Sequence, residues 1–274
     1  MYQKAYGLIE TLAPLHVGAS AGEETGNLNL IFRDQFTQTG IIPGSSIRGR
    51  FRADMREINP EKVGYWYGND ADTGETSEGI VKFEYASILW IPVFCPNQPI
   101  VYVSCPRLLR RYQRLTGHNH SDFKPYRYYS NQENNIKKLF FNLGFLPLED
   151  RDPALNNFFP TELVGEQKHL LVVVDDTEIA MIHDMALYRQ SRVALDPNQK
   201  KAADKAFFNV EALPEGTILS FPIALRKKTA TGEIVEWQAY LTDSKIGKRD
   251  DLYFGGLESV GFGRTQIMLK QQSV

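Results

Sequence analysis

The sequence predicts an α+β fold in which helices cover one face of an antiparallel sheet. Predicted strands outnumber predicted helices, and the strands are short runs of alternating or continuous apolar residues. The clearest helices are one-sided, with apolar residues at helical spacing and arginines on another face. A chain of 274 residues with 42% hydrophobic residues can bury one sizeable core, and it is short for two well-developed domains. We therefore expect one domain that carries large insertions.

In the first half of the chain, the pattern predicts strands interrupted by two amphipathic helices. The second of these helices covers residues 106–116, because Pro106 suits its first position and Gly117 stops it. An acidic, turn-rich linker precedes the strand that opens at residue 79. Strands are predicted over residues 2–12, 30–32, 79–85, 88–94 and 100–104.

The second half begins with residues 117–169, which we interpret as an insertion with some local helix. The apolar run 170–174 predicts a strand buried on both faces, and a helix follows it. Two strands that flank a long polar connection then predict a protruding hairpin, with Lys200, Lys201 and Lys205 near its tip. Further strands are predicted over residues 218–225, 233–241 and 266–269.

Composition limits the classes of function. The formal net charge of −2 argues against nucleic-acid binding by bulk electrostatics, although arginines cluster locally at 48–56 and again at 107–114. Cys95 and Cys105 are too few to indicate a disulfide framework, so core packing is expected for both. No stretch approaches the ~20 apolar residues of a membrane span. With no apolar signal region at the N-terminus, we expect a cytoplasmic protein with no membrane partner.

The first helix carries a candidate phosphate site. Pro43 and Gly44 break the preceding segment, and Ser45 or Ser46 can cap the helix that follows. Arg48, Arg52 and Arg56 recur every fourth residue beside the apolar stripe, with Arg50 displaced from them. A helix start with free N–H groups, hydroxyls and arginines suits an anion. The alternative is a solvated basic face on an ordinary core helix.

A glycine-rich loop, residues 255–265, precedes the last predicted strand. It has neither the Lys-Ser/Thr of a Walker motif nor the strand–turn–helix setting of a dinucleotide fingerprint. Its glycines and Arg264 could bring backbone N–H groups against a phosphodiester. A tight bend before a terminal strand explains it equally well.

Side chains with catalytic chemistry are sparse. His16 could act as a general base, but no Ser or Cys nucleophile accompanies it. Glu23 and Glu24 could help to bind a divalent cation, although adjacent loop carboxylates are more often solvated. No histidine has metal-ligand spacing to another, so no metal site is predicted. Tyr65, Trp66 and Tyr67 could stack bases, although core packing is favoured.

In combination and in order, these features resemble the RAMP superfamily, the RNA-binding proteins of CRISPR systems. The likeness is strongest to the backbone subunit of type III (Csm/Cmr) effector complexes, in its Cmr-like branch. The matching segments are Pro14-Leu15-His16-Val17-Gly18, Arg33-Asp34, Ile42-Pro43-Gly44-Ser45-Ser46-Ile47-Arg48-Gly49, residues 79–83, residues 103–110, residues 192–213 and residues 255–264.

The resemblance implies a fold, partners and site residues. The fold would be a modified ferredoxin-like (RRM-type) palm over residues 1–274, with fingers inserted around 60–80 and 117–169 and a β-hairpin thumb at about 185–210. The partners would be guide RNA, complementary target RNA and other effector subunits, and binding would need no cofactor. The implied RNA-binding residues are Ser45, Ser46, Arg48, Arg50 and Arg52 for guide phosphates, Gly261, Gly263 and Arg264 for a second backbone contact, and Met185 and Tyr188 at the thumb root for separating a base pair.

One departure from the family concerns cleavage. Members that cut bound target RNA use an aspartate a few residues before the Arg-Asp/Glu pair, and residues 26–32 contain no acid here. Either Glu23, Glu24 or Asp34 substitutes, with Mg²⁺ or another divalent cation, or the subunit binds without cutting, which we favour. Two alternatives remain open. One is a stand-alone, metal-independent guide-processing endoribonuclease that uses His16, and the other is a generic α+β binding protein.

Overall fold

The computed structural model describes residues 2–18, 28–68, 77–118, 122–132, 135–195, 202–229, 231–246 and 251–272. The strands are β1 (Tyr2–Thr11), β2 (Leu28–Asn29), β3 (Ile41–Ile42), β4 (Val81–Phe83), β5 (Ala86–Val93), β6 (Ile100–Ser104), β7 (Tyr128–Ser130), β8 (Lys138–Phe141), β9 (Gly144–Pro147), β10 (His169–Val173), β11 (Tyr188–Leu195), β12 (Ala202–Ala212), β13 (Ile218–Arg226), β14 (Leu252–Tyr253) and β15 (Arg264–Gln271). The helices are α1 (Gly44–Ile58), α2 (Val63–Tyr67), α3 (Pro106–Thr116), α4 (Thr161–Val164), α5 (Ile179–Ala186) and α6 (Trp237–Ser244), with 3₁₀ helices at Pro60–Lys62, Pro153–Phe158 and Glu258–Val260.

The main sheet has ten strands within the described ranges. Eight follow the order β14–β15–β1–β13–β5–β6–β10–β7, while β3 pairs with β5 and β4 with β13. The prediction of an antiparallel sheet is wrong at one pair, because β10 runs parallel to β6. The long segment between them provides the crossover that parallel strands need. All five residues of β10 are buried, which confirms the interpretation of the apolar run 170–174.

Four adjacent strands, β15–β1–β13–β5, share one face with α1 and α6. In sequence, α1 lies between β1 and β5, and α6 lies between β13 and β15. Phe51 of α1 packs on this face, with its ring 6.2 Å from that of Phe221 on β13. Opposite Phe221 in the register is Gly7, where a Cβ would lie 2.1 Å from the Phe221 ring. Because Gly7 has no side chain, the Phe221 ring can occupy the space directly over β1.

Helices also cover the opposite face of the sheet, so the prediction of one covered face is wrong. Leu109 and Tyr112 of α3 pack there with Tyr6 and Leu8 of β1. Trp90 of β5 belongs to the same cluster, and its indole N–H donates to the Phe158 carbonyl at 2.9 Å. The middle of β1 is buried on both sides, and apolar side chains on both faces of a strand require two covering layers.

The segment 233–241, which was predicted to be a strand, forms α6 from Trp237 onward. Its β-branched start favours a strand locally, but Trp237, Tyr240 and Ser244 are buried at helical spacing. The Tyr240 hydroxyl lies 3.0 Å from the Tyr67 hydroxyl, and Trp66 donates to Asp243. Packing against α1 and α2 therefore decides the structure of this segment.

A hairpin forms where the sequence predicted one, from β11 and β12, and we call it the thumb hairpin after its expected role. It pairs with β2, which runs parallel to β12, and the three strands make a second, smaller sheet. Lys200 and Lys201 lie outside the described residues, and the side chain of Lys205 is not among the described ones. The insertion at 117–169 contains the β8–β9 hairpin as well as the short helices that were expected there.

Both cysteines are buried free thiols, as their assignment to the core predicted. Burial raises the pKa of the Cys105 thiol to about 12, so it stays protonated and unreactive at neutral pH. None of the helices in the described ranges is long and apolar enough to cross a membrane.

Candidate functional site

A groove of about 450 Å³ separates the N-terminal half of α1 from the segment that follows β14. The helix and the glycine-rich loop, although distant in sequence, therefore lie on two sides of one cavity. The lining residues are Val17, Gly18, Phe32, Ser46, Gly49, Arg50, Tyr253, Phe254, Gly255, Gly256 and Glu258.

Ser46, Gly49 and Arg50 form the helical wall of the groove, at i, i+3 and i+4 on one face of α1. This is not the stripe that the arginine spacing emphasised. Arg48 lies two residues from Arg50, which is more than half a helical turn away. Its guanidinium donates to the Tyr67 carbonyl at 2.6 Å, so it satisfies the end of α2. Arg50 is thus the groove-facing arginine, and neither Arg48 nor Arg52 is among the lining residues.

The start of α1 differs from the capping prediction. Pro43 is the N-cap residue, and no side chain caps the helix. Gly44 packs against β4, where a Cβ would lie 2.6 Å from the Phe83 carbonyl. Neither the Ser45 nor the Ser46 hydroxyl caps the helix. Ser45 is exposed and Ser46 lines the groove.

The charge inside the groove is mixed. Arg50 donates to Asp54, which is buried, at 2.7 Å. A guanidinium has five N–H donors, so this contact leaves others for a ligand. Glu258 adds a carboxylate on the facing wall. The groove therefore combines one arginine, one glutamate, one serine hydroxyl and nearby backbone.

The glycine-rich loop is fastened to the segment around His16. Gly255 has a φ of +78°, and a Cβ there would lie 2.1 Å from the His16 carbonyl. The neighbouring Gly256 donates its N–H to the same carbonyl at 3.0 Å. Because residue 255 is a glycine, the loop that forms this wall of the groove can pack directly against the backbone at His16.

Gly261, Gly263 and Arg264 already bond within the chain. The Gly261 N–H donates to Glu258, and the Gly263 N–H donates to Pro14 at 2.9 Å. Arg264 contacts Asp251 through two N–H groups at 3.0 and 2.8 Å. These N–H groups are therefore not free for a phosphate, and residues 253–256 are the part of the loop that reaches the groove.

The root of the thumb hairpin packs on the same loop. The Tyr188 ring lies edge-on to the Phe262 ring, with centroids 5.9 Å apart. Phe262 also packs with Val210 and Ala212 of β12. Tyr188 remains partly exposed, whereas Met185 is partly buried against the main core. Of the two predicted thumb-root residues, Tyr188 lies closer to the glycine-rich loop.

A polar network joins the thumb hairpin to the segment before α1. Arg33 contacts the buried Glu211 of β12 at 3.0 and 3.2 Å, and it contacts Asp184 of α5 at 2.5 Å. The Ile31 N–H also donates to Glu211, at 3.1 Å. Hydrogen bonds from His183 and from Arg33 lower the pKa of Asp184 to about 2. Sequence reasoning quoted Arg33 as part of a motif but gave it no role, because both of its partners are distant in sequence.

Two histidines lie beside this network. Nδ1 of His16 is 2.8 Å from the Glu211 carbonyl oxygen, which can only accept, so Nδ1 donates this hydrogen bond. His16 is buried, and its Nε2 would lie 3.0 Å from a Cβ at Gly18, a residue that lines the groove. His183 is fully buried and its Nε2 accepts from the Gly40 N–H at 2.9 Å. Burial lowers the pKa of His183, which keeps it neutral.

Asp34, a candidate for cleavage, is engaged in a turn. One carboxylate oxygen accepts from the Phe36 and Thr37 N–H groups and from the Thr37 hydroxyl, at 2.8 to 3.0 Å. Partial burial alone would raise the pKa of Asp34, but these hydrogen bonds outweigh it and lower the pKa. Asp34 therefore acts as a structural acceptor here. Glu23 and Glu24 lie outside the described residues.

Among the described residues, no group of three or more His, Cys, Asp or Glu side chains is arranged to hold a metal ion. Of the three consecutive aromatic residues, Trp66 and Tyr67 are buried in the core, as favoured from the sequence. Tyr65 is partly exposed, with its ring against Trp66.

The sequence model of the RAMP superfamily matches residues 8–266, so the chain belongs to that superfamily. It is 21% identical over 291 residues to the CRISPR system Cmr endoribonuclease Cmr4 of Pyrococcus furiosus, covering 98% of this chain and 96% of that protein.

Two solved structures share the fold. A chain of the type III-B Cmr-beta complex bound to cognate target RNA superposes with a TM-score of 0.72 and 19% identity, covering 97% of this chain and 96% of that one. Oligomeric Cmr4 from Pyrococcus furiosus superposes with a TM-score of 0.71 and 17% identity over 100% of both chains. The mixed α+β architecture around a central sheet is therefore that of Cmr4.

Proposed function

We propose that this chain is a guide-RNA-binding backbone subunit of a type III-B CRISPR effector complex. The observation that carries the proposal is the groove between α1 and the segment 253–258. It brings two of the family-like segments of the sequence, the start of α1 and the glycine-rich loop, to one cavity. Superfamily membership and the likeness to Cmr4 over nearly the whole chain support this function.

The palm is ferredoxin-like in this proposal. A ferredoxin-like unit is a β-α-β-β-α-β chain, and β1, α1, β5, β13, α6 and β15 occur in that order. Their strands are adjacent in the order β15–β1–β13–β5, and both helices lie on one face. The segment from β6 to β12 is then an insertion between the second and third strands of the palm.

The groove would hold the guide by its phosphates. Arg50 and the Ser46 hydroxyl offer donors on α1, and the backbone of 253–256 forms the other wall. Arg50 replaces Arg48 as the leading candidate, because Arg50 lines the groove and Arg48 does not. Phosphate contacts position a strand without reading its sequence, which suits a protein that must accept any guide.

The thumb hairpin would separate guide from target. Tyr188 presents an aromatic edge at its root, and an aromatic ring can replace a base in a stack. We further propose that the subunit binds target RNA without cutting it. Residues 26–32 contain no acid, and Asp34 is committed to its turn.

A processing endoribonuclease remains the second candidate, because the His16 imidazole lies against Gly18, which lines the groove. The RNA that co-purifies with the chain distinguishes the two functions. A bound mature guide of uniform length supports the backbone role, whereas cleavage of a precursor by the isolated protein supports processing. Co-purification of no RNA contradicts both.

Gly49 offers a direct test of the groove. It is exposed on α1, and a Cβ there meets nothing within 4 Å, so it accepts a side chain without strain. We expect Gly49→Asp to weaken RNA binding by roughly 3–10-fold, because one added charge changes the interaction with a nearby phosphate by about 1 kcal/mol in water. Gly49→Lys should tighten binding and steepen the salt dependence by about one phosphate contact.

Gly49→Asn is the matched control, since it has the shape of Asp without the charge. Affinity should follow the order Lys, Asn, Asp in filter binding or fluorescence anisotropy over a range of salt concentrations. Equal affinities and equal salt slopes for all three variants would show that RNA does not pass through the groove.

A further inference from the structure

Phe36 is an exposed aromatic residue on a tightly held turn. Its side chain is 71% exposed, although a buried phenylalanine would stabilise the fold by about 2 kcal/mol. Hydrogen bonds hold the turn both before and after Phe36. The Asp34 carboxylate accepts from the Phe36 and Thr37 N–H groups, and Thr37 and Thr39 are buried and hydrogen-bonded to each other at 2.8 Å. The exposure of Phe36 is thus built into the turn.

Arg107 lies over this ring. Its guanidinium carbon is 4.8 Å from the Phe36 ring centroid, and within the described part of the chain this guanidinium has no carboxylate partner. The neighbouring Arg110 differs, since Asp176 lies 3.5 Å from it. Phe36 and Arg107 therefore present a flat aromatic face together with a guanidinium that pairs with no carboxylate in the described ranges.

A second cation–π pair in the same region provides a contrast. The Arg111 guanidinium lies 4.2 Å from the Tyr85 ring and donates to the Tyr85 carbonyl at 3.1 Å. Glu84 lies 3.9 Å from Arg111, whose side chain is largely covered. That pair is a packing contact, whereas the Phe36–Arg107 pair faces solvent.

The turn that carries Phe36 begins at the groove. Phe32 lines the groove, and its carbonyl accepts from the Ile41 N–H at 2.9 Å where the turn returns. Four residues of chain span at most about 14 Å, so Phe36 is within reach of a strand that leaves the groove. Aromatic rings and guanidinium planes are the surfaces on which unpaired bases stack, and Arg also binds phosphate.

We propose that Phe36 and Arg107 form a stacking platform for an unpaired nucleotide of the bound RNA, with the base on Phe36 and a flanking phosphate on Arg107. The inference rests on the proposed RNA-binding function and extends it to a surface outside the groove. Base identity has little influence here, because every base has a stacking face.

The experiment uses single-stranded RNA that carries 2-aminopurine, whose fluorescence is quenched when it stacks. Phe36→Ala should weaken binding roughly 10-fold and reduce the quenching, with no change in the salt slope. Phe36→Trp should retain both affinity and quenching. Arg107→Gln should lower the salt slope by about 0.7, the value for one phosphate on a single strand.

Phe94 supplies the matched control, because it is 76% exposed and lies in the turn after β5. Phe94→Ala should leave affinity and quenching unchanged. If Phe36→Ala behaves like Phe94→Ala, the inference is wrong.

The inference is also wrong if Phe36→Ala changes only the sedimentation of the RNA-free protein, because the surface is then a protein contact. Loss of binding in Gly49→Asp but not in Phe36→Ala overturns this inference alone, whereas failure of the unmodified protein to bind RNA overturns the proposed function as well.

Discussion

Removing the Arg33 side chain should destabilise the protein far more than removing an ordinary surface arginine. Glu211 is 2% exposed, and Arg33 contacts both of its carboxylate oxygens. Arg33→Ala leaves that carboxylate buried, and the Ile31 N–H is then its one remaining donor among the described residues. Breaking a fully buried ion pair costs about 3–5 kcal/mol. Arg33 itself is 22% exposed, so water compensates in part and we expect a loss of about 2–4 kcal/mol.

The assay is urea unfolding at neutral pH, with the free energy of unfolding extrapolated to water. Arg226→Ala is the control, because Arg226 contacts Glu78, whose side chain is 56% exposed. An exposed pair contributes about 0–1 kcal/mol. In a double-mutant cycle, Glu211→Gln should recover part of the Arg33→Ala loss, because the amide replaces the unpaired buried charge. If Arg33→Ala loses no more stability than Arg226→Ala, the network does not hold the thumb hairpin to the segment before α1.

Two further predictions concern the sheet. Gly7→Ala should destabilise the protein by about 1–3 kcal/mol in the same assay, because the new Cβ overlaps the Phe221 ring. The control is Gly49→Ala, at an unobstructed helical position, which should stabilise the protein by up to about 1 kcal/mol. Similar effects at both sites would contradict the packing argument. Burial, with repulsion from Glu215, raises the pKa of Glu10 from its ordinary 4.5 to about 7. The folded state therefore binds this proton more tightly than the unfolded state does. As a result, the free energy of unfolding should fall as the pH rises from 4.5 to 7. Glu10→Gln should remove about 1–2 kcal/mol of that fall, allowing for partial exposure, and an unchanged difference between pH 5 and pH 8 would refute the assignment.

Patterns within a short window determined most of the elements. The helix at Pro106–Thr116 follows from a proline at its first position and a glycine after its end, and both lie within the helix's own sequence. The central strands and the hairpin of β11 and β12 follow in the same way from periodicity and turn residues. These signals are local because backbone hydrogen bonding and side-chain alternation act over a few residues.

Local patterns failed where distant contacts competed with them. Residues 237–244 form a helix because Trp237 and Tyr240 pack against α1 and α2. The regular spacing of Arg48, Arg52 and Arg56 drew attention to one side of α1, but the side that faces the groove depends on where the glycine-rich loop lies.

By itself, the sequence determined that this chain has an arginine-bearing helix near its N-terminus and a glycine-rich loop before its last strand. Only the tertiary structure decided which of their atoms meet. His16 and Glu211, 195 residues apart, join the groove to the thumb hairpin through one hydrogen bond. No periodicity encodes such a pair, because the geometry that brings the two residues together depends on the packing of the whole sheet between them.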